Sequence, residues 1–191
     1  MNPRITLLTA VCALTLVACG DKSPGTADTA ATATTPEPAA TETSTTKAPA
    51  TTAPGSDKPA AVVTDCSTVI EGTDTMQFNV GSIVVPASCT EFNITLKHVG
   101  QMPVAAMGHN VVIAKAADMH DIDADGIAAG AAAAYVKPDD TRVIAHTELV
   151  GGGQTTSVSF PVSRIQGDGP YAFFCSFPGH STMMKGAISV G

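Results

Sequence analysis

Residues 173 to 186 read FFCSFPGHSTMMKG, a short Gly/Pro-punctuated stretch holding a cysteine, a histidine and two adjacent methionines. Cys175 and His180 are spaced C-x4-H, and Met183 and Met184 follow within reach of the same loop. Pro178 and Gly179 supply a bend that can fold these donors around one point. A second imidazole is available from His109 in Met107-Gly108-His109-Asn110, at the start of an apolar run. One thiolate, two imidazoles and a weak thioether form the trigonal donor set of a blue-copper site. Soft sulfur suits Cu(I) and imidazole suits both oxidation states, so one geometry can serve both. Taken singly, each residue has a plainer reading, a buried cysteine being usually a small hydrophobe. Taken jointly, with a thiol that has no partner, they point to copper. Adjacent residues entering a strand face opposite sides, so only one methionine can aim at the metal; donor type alone leaves Met183 and Met184 both open.

The rest of the chain must export and position this cluster. Residues 1–18 combine Arg4 with an apolar run too short for a comfortable membrane span, the pattern of a signal peptide. The run ends in Leu16-Val17-Ala18-Cys19, which resembles a bacterial lipobox and makes Cys19 the expected lipidated N-terminus. Gly20 directs the sorting expectation toward the outer membrane, facing the periplasm or the cell surface. Residues 19–64 are then a tether of Ala, Thr, Pro and Ser with no aromatic residue and no apolar period. A flexible chain of that length reaches roughly 40 Å. The remaining segment, 65–191, is long enough for one domain with one core. The chain is acidic, net −7, which argues against nucleic-acid binding. Of five cysteines, Cys12 leaves with the signal peptide and Cys19 carries lipid. Cys66 and Cys89 can then pair in an oxidising compartment, which leaves Cys175 alone unless a metal occupies its sulfur.

Short β-patterned runs separated by turn signals fill the domain: 75–80, 82–85, 91–98, 110–114, 145–149, 155–162, 171–177 and 185–190. Phe92, Ile94 and Leu96 alternate with polar neighbours, as do Val158, Phe160 and Val162. Residues 116–135, rich in alanine, break this pattern and predict a short helix or two. The sum predicts an all-β, Greek-key β-sandwich with a short helical insertion.

The stretches CSTVIEGTDTMQFN, MGHN, AADM, YVKPDDTRVIAHTELVG and YAFFCSFPGHSTMMKG resemble the azurins, bacterial type 1 copper proteins of the cupredoxin family, in order and over nearly the whole domain. The C-x4-H-x3-M spacing is the azurin form of the loop. By this resemblance one copper is held by His109, Cys175 and His180, with Met184 as the long axial ligand and the Gly108 carbonyl opposite. Asn110, Ser176 and the Phe177 amide surround the ligands, and Cys66–Cys89 matches the family disulfide. The resemblance also implies an electron-transfer patch: His180 within an apolar ring of Met76, Met102, Ala106, Met107, Ile127, Phe177, Pro178 and Gly179. Redox partners by the same analogy are c-type cytochromes or a copper nitrite reductase, met by a monomeric domain. The family often carries a tryptophan after His-Asn; here Val111 stands there, and the chain has no tryptophan.

The expected function is thus a membrane-tethered carrier of single electrons. It is not expected to be an enzyme, since five histidines leave no second cluster for a catalytic copper. A copper buffer or chaperone, or a surface interaction protein, is the alternative. Asp121, Asp123 and Asp125 before Gly126 open like a calcium loop, but the twelfth position is Ala132 rather than the required glutamate, which favours a solvated acidic turn.

Overall fold

Alternation is plainest in the strand Glu91–His98, where Phe92, Ile94, Leu96 and His98 are buried and the residues between them are not. In the chain order of a computed structural model describing residues 57–191, this is β5. The others are β1 (Val63–Thr64), β2 (Ser67–Thr73), β3 (Gln77–Phe78), β4 (Ser82–Val85), β6 (Val112–Lys115), β7 (Val143–His146), β8 (Thr155–Pro161), β9 (Tyr171–Phe174) and β10 (Lys185–Val190). The expected signal peptide, Cys19 and the tether as far as residue 56 lie outside the described residues.

Two five-stranded sheets result. One runs β1-β2-β5-β8 with β3 on β2; the other runs β4-β10-β9-β6-β7. The β2–β5 and β4–β10 pairs are parallel and the rest antiparallel. Ile70, Ile94 and Leu96 of the first sheet meet Ile83, Ile113, Phe173 and Ile188 of the second in the main core. Consecutive residues of a strand face opposite sides, so Phe174, Val112 and Ala114 point away from that core. They form a second cluster with Ile122 and Val136. Ile122 belongs to the helix α2 (Met119–Ala129), which explains why Tyr171–Phe174 is buried throughout rather than alternately. The all-β sandwich with a short helical insertion is therefore present.

Three details depart from expectation. β2 is a central strand that sequence reading passed over, because its inward positions are Thr68, Ile70 and Gly72 while Val69 faces out. Only one inward residue is large and apolar, so the alternation is disguised. The single-turn helix α1 (Val104–Met107) was also not anticipated. Finally, Pro59 to Thr64, read by composition as the end of the tether, are already laid on the sheets. Ala60 pairs with Ser82 on the outer edge of β4, Gly81 N–H donates to the Pro59 carbonyl, and β1 pairs with β2. Backbone pairing at an edge strand is indifferent to side chain, which is why composition missed it.

Cys66 and Cys89 are joined, linking the turn before β2 to the loop before β5. Closing that 23-residue separation is worth about 3 kcal/mol in the chain-entropy account.

Candidate metal centre

The antiparallel register of β6 on β9 pairs Val112 with Phe174. That pairing brings the residues just before β6 beside those just after β9, and so His109 and Asn110 beside Cys175 and Ser176. His109 exchanges two backbone hydrogen bonds with Val150, each 2.9 Å. Gly108 precedes it because α1 turns back tightly there: a β-carbon would stand 2.6 Å from the Val104 carbonyl oxygen. The second ligand loop closes on itself. Cys175 N–H donates to the Met184 carbonyl at 3.0 Å, and Met184 N–H to that of His180 at 2.8 Å. Gly179, with φ of +83°, makes the bend.

His109, Cys175 and His180 offer donor atoms that all lie within 4.8 Å of one another. Cys175 Sγ is 4.0 Å from His109 Nδ1 and 3.7 Å from His180 Nδ1. With bonds of about 2.3 Å to sulfur and 2.0 Å to nitrogen, trigonal placement around a metal ion separates the two by roughly 3.8 Å. The three side chains fit such an ion. The Gly108 carbonyl oxygen is 3.9 Å from the sulfur. Met184 is fully buried, whereas Met183 is 50% exposed. A β-carbon on Gly72 would touch both His109 Cδ2, at 2.7 Å, and Met184 Cε, at 3.5 Å, so the thioether and the imidazole converge over this glycine.

The proton positions are also prepared. His109 Nε2 lies 2.9 Å from the Thr73 carbonyl oxygen, which can only accept; the ring proton is held there and the Nδ1 lone pair faces the sulfur. His98 stacks on His109 at 4.3 Å. Burial holds the His109 ring below its usual range and pushes His180 down to about 4. Burial also pushes the Cys175 thiol up to about 12, against the opposing pull of the Asn110 and Phe177 backbone N–H groups. At neutral pH the metal-free site is therefore an uncharged thiol and two uncharged imidazoles. Loading with a divalent ion should then release one proton per ion, from Cys175, at pH 7 to 8. The histidines contribute none in that window because they are already neutral. A pH-indicator titration on adding Cu(II) measures the stoichiometry; two protons per ion at pH 7 would contradict the assignment.

Asn110, fully buried, ties the two loops together. Its Nδ2 donates to Ser176 Oγ and to the Ala134 carbonyl, both at 2.8 Å, and its Oδ1 accepts from Ser176 N–H at 2.9 Å. Phe177 packs on His180 with ring centroids 4.6 Å apart.

Such a donor set on such a sandwich has known counterparts. A family model described as copper binding proteins, plastocyanin/azurin family, matches residues 64–191. The chain belongs to this family. Azurin of Alcaligenes faecalis is 56% identical over 126 residues, which is 66% of this chain and 98% of that protein. Azurin of Pseudomonas aeruginosa is 48% identical over 129 residues, 68% of this chain and 87% of that protein. The solved structure of azurin Az-iso2 from Methylomonas sp. strain J superposes with a TM-score of 0.65 at 47% identity, covering 67% of this chain and 99% of that one. The described domain is an azurin-like cupredoxin that binds one copper and carries electrons.

Around this cupredoxin site the expected patch residues are unevenly exposed. Met102 is 39% exposed, and Ala106 and Gly179 are exposed. Met76, Met107 and Pro178 are half-buried, while Phe177 is buried and His180 keeps only 3% of its surface. Ile127 is exposed on α2. Sequence reading missed Gly72, Thr73 and the Ala134 carbonyl, all of which act through backbone position and carry no side-chain signature. It also missed Asp123. The acidic stretch is no loop but part of α2. Asp125 pairs there with Arg142 and Lys137, while Asp123 Oδ2 accepts from Ser181 Oγ at 3.0 Å.

Proposed function

We propose that the chain is a membrane-tethered one-electron carrier, anchored through lipidated Cys19 and placed at the outer membrane. In this reading His109, Cys175 and His180 would hold the copper, with the Met184 thioether and the Gly108 carbonyl as weaker donors. The convergence of the three buried donors, with the His109 ring proton fixed on Thr73, carries the reading. Bound copper would supply the cycle between Cu(I) and Cu(II). The protein's own part is to keep one geometry for both states: Asn110 locks the loops, Cys175 N–H closes the second loop on Met184, and burial excludes water. Electrons would pass at the apolar face around His180, a small weak interface that lets partners leave quickly. Partners are c-type cytochromes or a copper nitrite reductase, in the periplasm or at the cell surface, and the domain is a carrier rather than an enzyme.

Stopped-flow mixing of copper-loaded protein with reduced c-type cytochrome tests the role, with rapid oxidation of the cytochrome expected. Copper-loaded protein that exchanges electrons only over minutes would exclude it. Cys19→Ser should move the protein from the membrane fraction to the soluble one. Within the site, Met184→Gln should shift both potential and spectrum, since the axial ligand tunes them, while Met183→Leu should change neither. Cyclic voltammetry and visible spectra of the pair decide the assignment, and the reverse pattern would overturn it.

A further inference from the structure

One carboxylate of the acidic stretch turns an oxygen away from water. Asp123 Oδ2 takes the Ser181 hydroxyl, but Oδ1 is buried with no hydrogen-bond partner. Its neighbour Asp125 is paired with cations, and Asp121 is exposed in the first turn of the helix. A buried oxygen left without a donor is destabilising, and burial raises the Asp123 carboxyl above its ordinary value. A carboxylate is thus a poor choice for packing α2 against this loop, and an apolar side chain would serve better. What the carboxylate does supply is a hydrogen-bond acceptor for the residue immediately after His180, and a charge.

We propose that Asp123 is a positioning residue of the copper centre, which holds the loop between His180 and Met184 against α2 through Ser181 and sets one negative charge beside the ligands. The inference rests on the reading of this site as a copper centre. The bond joins elements 58 residues apart, and Ser181 itself is buried, so the contact is shielded from competing water. A neighbouring negative charge favours the more positive ion, so Asp123 biases the site toward Cu(II). In a partly buried setting, a unit charge in the neighbourhood of an ion shifts a one-electron equilibrium roughly tenfold.

Two variants of the copper-loaded full chain separate the bond from the charge. Asp123→Asn keeps an oxygen acceptor for Ser181 and removes the charge. At a fixed electrode potential its Cu(I)/Cu(II) ratio should rise about tenfold, or ~59 mV for one electron. The copper-free variant should unfold at an equal or higher urea concentration, because a buried charge is gone. Ser181→Ala keeps the charge and removes the bond. It should alter the Cu(II) electron paramagnetic resonance spectrum while moving the ratio less than about threefold. A ratio in Asp123→Asn within twofold of the parent overturns the proposal, as does an unchanged resonance spectrum in Ser181→Ala. If Asp123→Asn does not fold, the Ser181→Ala spectrum decides alone. A parent chain that takes up no copper overturns the copper reading and this inference together. A loaded parent with unmoved variants overturns this inference only.

Discussion

Cys175→Ser is expected to abolish the intense visible absorption of the copper-loaded protein and to weaken copper binding by more than about a hundredfold, while leaving the copper-free fold intact. The absorption arises from charge transfer between thiolate sulfur and copper, and Cys175 is the free cysteine among the described residues. A serine hydroxyl does not ionise at neutral pH and is a hard donor, ill suited to Cu(I). The fold should survive because oxygen for sulfur changes little volume at this fully buried position. The Asn110 and Phe177 backbone N–H groups, which oppose the upward shift of the thiol, would also favour the hydroxyl oxygen. Absorbance-monitored copper titration measures the first effect and urea unfolding of the copper-free protein the second. A serine variant that kept the colour would remove Cys175 from the site.

Asn110→Ala should cost the copper-free protein about 3 kcal/mol and weaken copper binding roughly ten- to hundredfold. Three buried hydrogen bonds disappear together. Their former partners, the Ser176 N–H and the Ala134 carbonyl, are left in a dry interior, where an unsatisfied group costs more than a hydrogen bond gains. The binding loss follows from the geometry: without this side chain the His109 loop and the Cys175 loop lose the hydrogen bonds that tie them side by side. Ser176→Ala removes a single one of these bonds and should cost only about 1 kcal/mol. Urea unfolding and copper titration of both variants give the comparison. Equal losses in the two would show that the shared Asn110–Ser176 side-chain bond carries the effect and that the other two bonds contribute nothing.

The strands that could be read in the sequence are those with one clean apolar face. β5 and β8 alternate in residue type because one side is core and the other is not. β2 escaped because small and polar residues occupy two of its inward positions, and one of them, Gly72, is there for the approach of His109. β9 was recognisable as apolar, but its burial on both faces became intelligible only once α2 was seen to cover Phe174. The acidic stretch lies in α2 rather than in a turn, and the expected solvation holds for Asp121 but not for Asp123 Oδ1.

The copper donors divide along the same line. Within the stretch from Phe173 to Gly186, donor types and spacing were legible in the sequence alone, because a ten-residue loop bent at Pro178 and Gly179 can fold its ends together. Sequence therefore determined that Cys175, His180 and one of two methionines could share a point. Which methionine turns inward is a question of burial, and the structure gives it to Met184, with Met183 half in water. His109 lies 66 residues before Cys175, a separation no local rule can close. Only the register of β6 on β9 brings them together, and only the Thr73 carbonyl at the end of β2 holds the His109 ring proton away from the sulfur. Tertiary structure decided these things because backbone pairing and long-range burial are set by the whole fold, whereas ligand chemistry is already written in side-chain type.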